Sequence, residues 1–269
     1  MSPESFDAGW LALREGVDHR SRALTLLTPL QEWWAARDAH SVLDLGAGTG
    51  SNLRYLAASL PGPQAWTLVD HDARLLSRAG PPRPDIHLSR RREDLKTLVL
   101  DPDVHLVTAS ALLDLVSEAW LARLVQECAR CGATGLFTLT YDGAIDWSGS
   151  ADPMDQRVRD AVNVHQRGDK GFGPALGPGG TAAAEAAFRA AGYDTRVADS
   201  PWVLGADDAE LVRTLVDGWA MAAAELLAGE EAELRAWATR RADDVRLGRA
   251  ELTVGHGDLL ALPPEAGPR

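Results

Sequence analysis

Three glycines at alternate positions, Gly46, Gly48 and Gly50, stand between an acid, Asp44, and the polar start of a helical pattern at Asn52. A turn of this kind brings bare backbone N–H groups close to a ligand. Twenty residues after Gly50, Asp70 closes a second apolar run that begins at Ala65. An acid at the end of a second strand can accept both hydroxyl protons of a ribose. Asp72 is the neighbour able to take that role instead. The competing role for Asp70 is to cap a helical segment beginning near Ala73.

The elements that must position these groups are legible around them. Val42 to Leu45 is a short apolar run bounded by polar and glycine signals, which reads as a buried strand. Leu53, Leu56 and Leu60 stand at helical spacing after the turn. A dinucleotide fingerprint has the spacing Gly-x-Gly-x-x-Gly, and this turn does not match it. The run Asp44-Leu45-Gly46-Ala47-Gly48-Thr49-Gly50 instead resembles the first motif of the class I S-adenosylmethionine-dependent methyltransferases, Asp/Glu-x-Gly-x-Gly-x-Gly.

The resemblance covers residues 40–142 and implies a fold: α/β, a Rossmann-like seven-stranded, mostly parallel sheet with helices on both faces, an antiparallel last strand and helical cap or insertions. It implies S-adenosyl-L-methionine as cofactor, contacted by Asp44, Gly46, Ala47, Gly48, Gly50, Asn52, Asp70 and His71. In that family an acid after the third strand accepts from the adenine amino group. Asp94 is the first choice here and Glu93 the second. Ser110 and Ala111, at the end of the fourth strand, face the cofactor, because open α/β sheets bind ligands at their carboxyl edge. The expected reaction is SN2 transfer of a methyl group. The fourth motif lacks the Asn/Asp-Pro-Pro-aromatic form of enzymes that methylate base or amide nitrogens, which argues against a nucleobase amine as acceptor.

The remaining chain supplies candidates for the acceptor side. Residues 7–38 read as helical and form an N-terminal cap from which His19, Arg20 and Arg22 can reach a pocket, although an exposed polar face is the simpler reading. Residues 73–79 read as a helix, 86–88, 104–110 and 134–140 as strands, and 117–131 as a helix. Asp114 either faces the acceptor or caps that last helix. Tyr141, at the exit of the fifth strand, joins it as a catalytic candidate. Residues 144–180 are polar and punctuated by glycine, as a substrate-binding cap would be. In this segment His165 is the candidate base, and Asp146, Trp147, Arg167 and Lys170 are candidate substrate ligands, the two cations suiting a carboxylate or phosphate. Two long helical stretches, within 205–249, look like an insertion between the last two strands. There Trp219, Met221 and Trp237 can line an apolar pocket, although core packing is the simpler reading. The whole of 1–269 is expected to be one methyltransferase domain, with 40–142 as its cofactor-binding core, 1–38 as its helical cap, and 144–180 and 205–249 shaping the acceptor site.

Composition bounds the partners. Lys plus Arg is 27 and Asp plus Glu is 39, for a net charge of −12, whereas nucleic-acid binders carry basic faces. The short clusters Arg90-Arg91-Arg92 and Arg240-Arg241 read as solvated surface. No apolar run reaches the roughly 18 residues of a membrane span, and the first seven residues do not read as a signal peptide. The expectation is a cytoplasmic enzyme acting on a small-molecule acceptor, with no nucleic acid, no membrane and no metal. Cys128 and Cys131 read as buried small side chains near a helix end. The sequence leaves the acceptor atom and the oligomeric state open. Two other functions compete: a nucleotide-cofactor (NAD-type) oxidoreductase on a related sheet, and a non-catalytic S-adenosylmethionine-binding protein.

Overall fold

The computed structural model describes residues 7–37 and 40–264. Residues 1–6, residues 38–39 with the end of the predicted first helical stretch, and residues 265–269 lie outside the described residues.

Five parallel strands build the sheet: β1 (Ser41–Leu45), β2 (Gln64–Asp70), β3 (Ile86–Arg92), β4 (Leu106–Ser110) and β5 (Thr134–Trp147). The antiparallel β8 (Leu252–Leu262) lies beside β5. Along the other side of β8 run β6 (Asp194–Asp199) and then β7 (Trp202–Leu204). The order is β3-β2-β1-β4-β5-β8-β6, with β7 paired to β8. The direction of strand progression reverses between β1 and β4, and a crevice opens at such a point outside the carboxyl ends of the strands.

Alternation along the central strands fills two core layers. Val42, Leu106, Leu136 and Leu260 face one side, against Leu30, Trp34, Leu53 and Leu56. Leu43, Val107, Phe137 and Leu259 face the other, against Trp120, Leu124, Cys128 and Phe188. The first layer is covered by α2 (Leu27–Ala35) and α3 (Ser51–Ser59), the second by α5 (Glu118–Cys131) and α7 (Gly180–Ala190). Cys128 is fully buried on α5, as its spacing predicts, and burial pushes its thiol up. Ser117 caps α5 by accepting from the N–H of Trp120 at 3.3 Å, so the cap is not Asp114.

A third core layer lies beyond the carboxyl edge. The expected fifth strand stops at 140, but β5 continues to Trp147 through two register shifts and keeps pairing with β8. Against this extension pack α6 (Asp155–Gln166), α8 (Ala209–Ala224) and α9 (Glu231–Arg246). Two of these, α8 and α9, are the insertion between the last strands. Ser200 and Pro201 separate β6 from β7, and the sheet has eight strands where seven are expected. Proline has no N–H for the ladder, while Ser200 still donates to the carbonyl of His256 at 2.8 Å.

Arg241 corrects one expectation. It is buried, not solvated, and its Nε donates to Asp155 at 2.8 Å, which ties α9 to α6. The first helical stretch is also split, into α1 (Ala8–Ser21) and α2, with a 3-10 turn at Leu24–Leu26. The predicted helix at 73–79 is one turn, α4 (Ala73–Leu76).

Candidate active site

The turn after β1 is left-handed at each of its glycines: φ is 64° at Gly46, 53° at Gly48 and 81° at Gly50. Residues with a Cβ adopt this region at a cost, so the alternating glycines are what the turn requires. Asp70, at the end of β2, fixes the turn from beside it. Its Oδ2 accepts from the N–H of Gly48 and its Oδ1 from the N–H of Asp72, both at 2.8 Å. Asp72 caps α4 by accepting from the N–H of Arg74 at 2.8 Å. The helix cap is therefore Asp72, and Asp70 is left at the crevice.

A cavity of about 360 Å³ opens there. Gly46, Asp70, His71, Asp94, Ser110 and Ala111 line it from the sheet edge. Leu11 and Arg14 of α1 and the Lys170–Phe172 segment face them. Glu93 lies off the wall, paired with Arg91 at 2.7 Å. Gly50 also lies off it, as the N-cap of α3. A smaller adjoining space, of about 60 Å³, holds Asp44, Ala47, Gly48 and Asn52, with Arg14 and Asp18 opposite.

Asp44 is the electrostatic centre of that smaller space. Its Oδ1 accepts from the Asn52 amide at 2.8 Å, and its Oδ2 has no hydrogen-bond partner among the described residues. Burial raises its carboxyl to about 7, against the opposing pull of the Asn52 bond and the Arg22 charge. Arg22 is buried too, at the exit of α1. It donates to Thr138 and to Asn52 Oδ1 (3.0 Å), and sits 3.3 Å from Ser110 Oγ. The cap residue named from sequence as an outside possibility is thus a strut under the crevice. Its signal was faint: one cation between two helical runs.

A second space, of about 160 Å³, lies behind the first. Arg14, Ala111 and Leu115 belong to the walls of both. The chamber is lined by the extended strands, α1, α6 and α8. Trp10, Tyr141, Trp202 and Trp219 give it an aromatic surface, and Asp114 and His256 give it polar points. Two of its residues, Ala111 (φ 53°) and Leu139 (φ 54°), hold left-handed backbone without being glycine. Strain of this kind persists only where the surroundings enforce it, and it collects at functional sites.

The structure brings Asp114 and Tyr141 together in this chamber but separates the other acceptor-side candidates from it. His165 lies 3.7 Å from Glu225 and 3.3 Å from Lys170. Arg167 donates to the carbonyl of Asn163. Asp146 is exposed and pairs with Arg159 at 3.4 Å. Trp147 packs edge-on to Trp237, 6.3 Å between centroids. Asp146 and Trp147 belong to β5 and His165 to α6, which form the chamber's outer frame, and Arg167 follows α6. Lys170 lines the larger cavity. Trp219 reaches the chamber, Trp237 is core, and Met221 is exposed. Sequence reasoning missed Arg14, Trp202 and His256. Among the described residues no group of three His, Cys, Asp or Glu side chains could hold a metal ion, and no helix is long and apolar enough to cross a membrane.

Comparison with known proteins agrees with this geometry. A family model described as a methyltransferase domain matches residues 42–135, the stretch from β1 into β5. No curated protein matches the chain. Among solved structures, the YcgJ protein of Bacillus subtilis is similar over 92% of this chain and 100% of its own, at 16% identity and a TM-score of 0.50, a likeness of fold. A methyltransferase of Geobacter sulfurreducens in complex with S-adenosylhomocysteine is similar over 96% of this chain and 99% of its own, at 16% identity and a TM-score of 0.46. The first-motif turn and strands β1 to β4 lie within the stretch that the family model matches, so residues 42–135 are identified as a methyltransferase domain.

Proposed function

We propose that the enzyme methylates a small-molecule acceptor held in the chamber behind Ala111, with the cofactor in the adjoining cavity. The observation that carries this reading is the shared wall: Arg14, Ala111 and Leu115 line both spaces. Two reactants held on either side of one wall meet in a fixed orientation, an effect worth up to about 7–11 kcal/mol of barrier in favourable intramolecular cases.

The residues present fit the cofactor. The unpartnered Oδ2 of Asp44 suits an ammonium group, while Arg14, across the same space, is paired with Asp18 at 2.9 Å. Asp70 accepts ribose hydroxyl protons on its remaining lone pairs, with His71 beside it. Asp94 is the candidate for the adenine amino group, in preference to Glu93, which is spent on Arg91. Gly46, Ala47, Gly48 and Asn52 shape the floor, and Gly50 lets the turn enter α3. When bound, S-adenosylmethionine supplies an electrophilic sulfonium methyl group. The chain's own residues orient the acceptor: Asp114 and Tyr141 remain its polar contacts, and the aromatic walls exclude water. Lys170 lines the larger cavity, on the cofactor's side. The acidic balance of the chain supports a small molecule over nucleic acid, and we place the enzyme in the cytoplasm as one domain with the boundaries given above.

The test is calorimetry with S-adenosylmethionine, S-adenosylhomocysteine and NADH on the wild type and on Asp70→Ala, followed by transfer of labelled methyl to metabolite and nucleic-acid pools. Saturable binding of the sulfur compounds, weakened in the variant, with label appearing in metabolites, supports the proposal. Label in nucleic acid alone overturns the small-molecule reading.

A further inference from the structure

His256 sits in the chamber wall on β8, opposite Tyr141 in the strand register. Its Nδ1 lies 3.0 Å from the carbonyl oxygen of Val254. A carbonyl only accepts, so the proton of the neutral ring is on Nδ1, and Nε2 carries a lone pair. Among the described residues that lone pair meets no donor, although the side chain is buried and lines the chamber. Buried polar side chains mostly find a partner.

The space around it has a definite shape and chemistry. Trp202 stacks at a tilt on the His256 ring, 4.9 Å between centroids, and Tyr141 meets it edge-on at 6.3 Å. The Tyr141 hydroxyl donates to Asn163 Oδ1 at 2.9 Å, which leaves its oxygen able only to accept. The volume of about 160 Å³ compares with the roughly 150 Å³ apolar cavity known to take up a benzene molecule. Aromatic walls favour a ring that stacks or meets them edge-on. His256 lines the chamber but not the cofactor cavity, so it contacts the part of the ligand remote from the transferred methyl.

We propose that the chamber selects, as acceptor, a molecule presenting one flat aromatic ring whose O–H or N–H donates to Nε2 of His256. This rests on the reading of the chamber as the acceptor site. His256 is a specificity-determining residue in this role. It stays neutral, because burial first and the Arg14 charge second lower it to about 3. It therefore accepts a hydrogen bond and does not take up the proton.

The three tryptophans of the chamber wall make their fluorescence a direct readout, independent of turnover. The whole protein, saturated with S-adenosylhomocysteine, is titrated with phenol, with toluene as a ring of the same size lacking the donor, and with cyclohexanol as a donor on a puckered ring. The expected order is phenol tightest, with an advantage of about tenfold over toluene. In His256→Phe that advantage disappears while toluene and S-adenosylhomocysteine bind as before. Equal binding of phenol and toluene to the wild type overturns the donor assignment, and tighter cyclohexanol overturns the flat ring. The wild-type ranking decides these points even should the variant not fold. No ring binding, with S-adenosylhomocysteine bound normally, overturns this inference and leaves the methyltransferase standing. Failure of S-adenosylhomocysteine itself to bind overturns both.

Discussion

The backbone N–H of Leu139 donates to Oδ1 of Asp258 at 2.7 Å, and Leu139 holds φ at 54°. The same carboxylate accepts from Ser200 Oγ at 2.5 Å and from the N–H of Ala23 at 3.0 Å. One buried acid thus joins the strained exit of β5, the break between β6 and β7, and the segment after α1. It is also the leading charge that compensates the buried Arg22 guanidinium.

Asp258→Ala leaves three donors without their acceptor and removes the leading one of the charges that act on the buried Arg22. A buried donor left unsatisfied costs about 1–3 kcal/mol. Urea unfolding is expected to show a loss of that size. Acceptor binding should suffer more than cofactor binding in protein that remains folded, because Leu139 lines the chamber and not the cofactor cavity. An unfolding midpoint within error of wild type would refute the strut role.

Asp44 ties stability and binding to pH in opposite senses. Its carboxyl is raised in the folded state to about 7 from an ordinary 3.8, with burial as the main cause. Below pH 4 both states are protonated. Between about 4 and 7 the unfolded chain ionises while the folded chain keeps the proton, so stability falls as pH rises through this window and then levels off. A cationic ammonium beside Oδ2 favours the ionised form. Cofactor affinity is therefore expected to rise as pH climbs toward and past 7. Asp44→Asn removes the charge. It should flatten both dependences and weaken S-adenosylmethionine binding by about 10- to 100-fold. Calorimetry at pH 6 and pH 8 on both proteins checks this, and an unchanged pH slope in the variant would count against it.

The contrast between the two sides of the site follows from how each is encoded. The turn Asp44–Gly50 and the acid Asp70 act through local backbone geometry, so consecutive residues announce them. β1, β4 and α5 show strong periodicity, and the structure keeps them within two residues of their predicted bounds. The third strand reads short, because β3 is an edge strand whose last residues, Arg90 to Arg92, are polar. The chamber was not legible. It is assembled from α1, the far end of β5, the interruption at Pro201 and β8, segments up to 246 residues apart if Trp10 and His256 are taken as its limits. No local pattern marks Trp202 or His256, and Gly143 with Gly149 made the extension of β5 look like loop. His165 drew notice as a histidine in a polar segment, yet it lies on α6 outside the chamber.

Gly48 tests whether the turn's geometry is specific. At φ 53° an alanine is strained by about 1–2 kcal/mol, and its Cβ would stand 3.0 Å from Leu11 Cδ1. Leu11 is a flexible side chain on α1, which lines the cofactor cavity. Gly48→Ala should lose about 1–2 kcal/mol of stability and weaken cofactor binding. Adding Leu11→Ala should relieve the contact but not the backbone strain, so the double variant recovers only part. Full recovery would assign the whole effect to the contact with Leu11.

His256 gives the last prediction, and its sign is opposite to that of Asp44. Burial lowers the folded imidazole to about 3 from its ordinary 6.5. Above pH 6.5 both states hold a neutral ring. As pH falls below 6.5 the unfolded chain takes up a proton that the folded chain refuses, so stability is lost progressively between about 6.5 and 3. The charged groups around the ring work the same way, since Arg14 repels an imidazolium. His256→Gln, neutral at every pH, should remove this part of the acid slope. Thermal unfolding from pH 7 down to pH 5 is expected to show the wild type and the variant diverging as the acid limit is approached. Parallel curves would mean that the ring is protonated in the folded protein and cannot offer Nε2 as a lone pair to the acceptor.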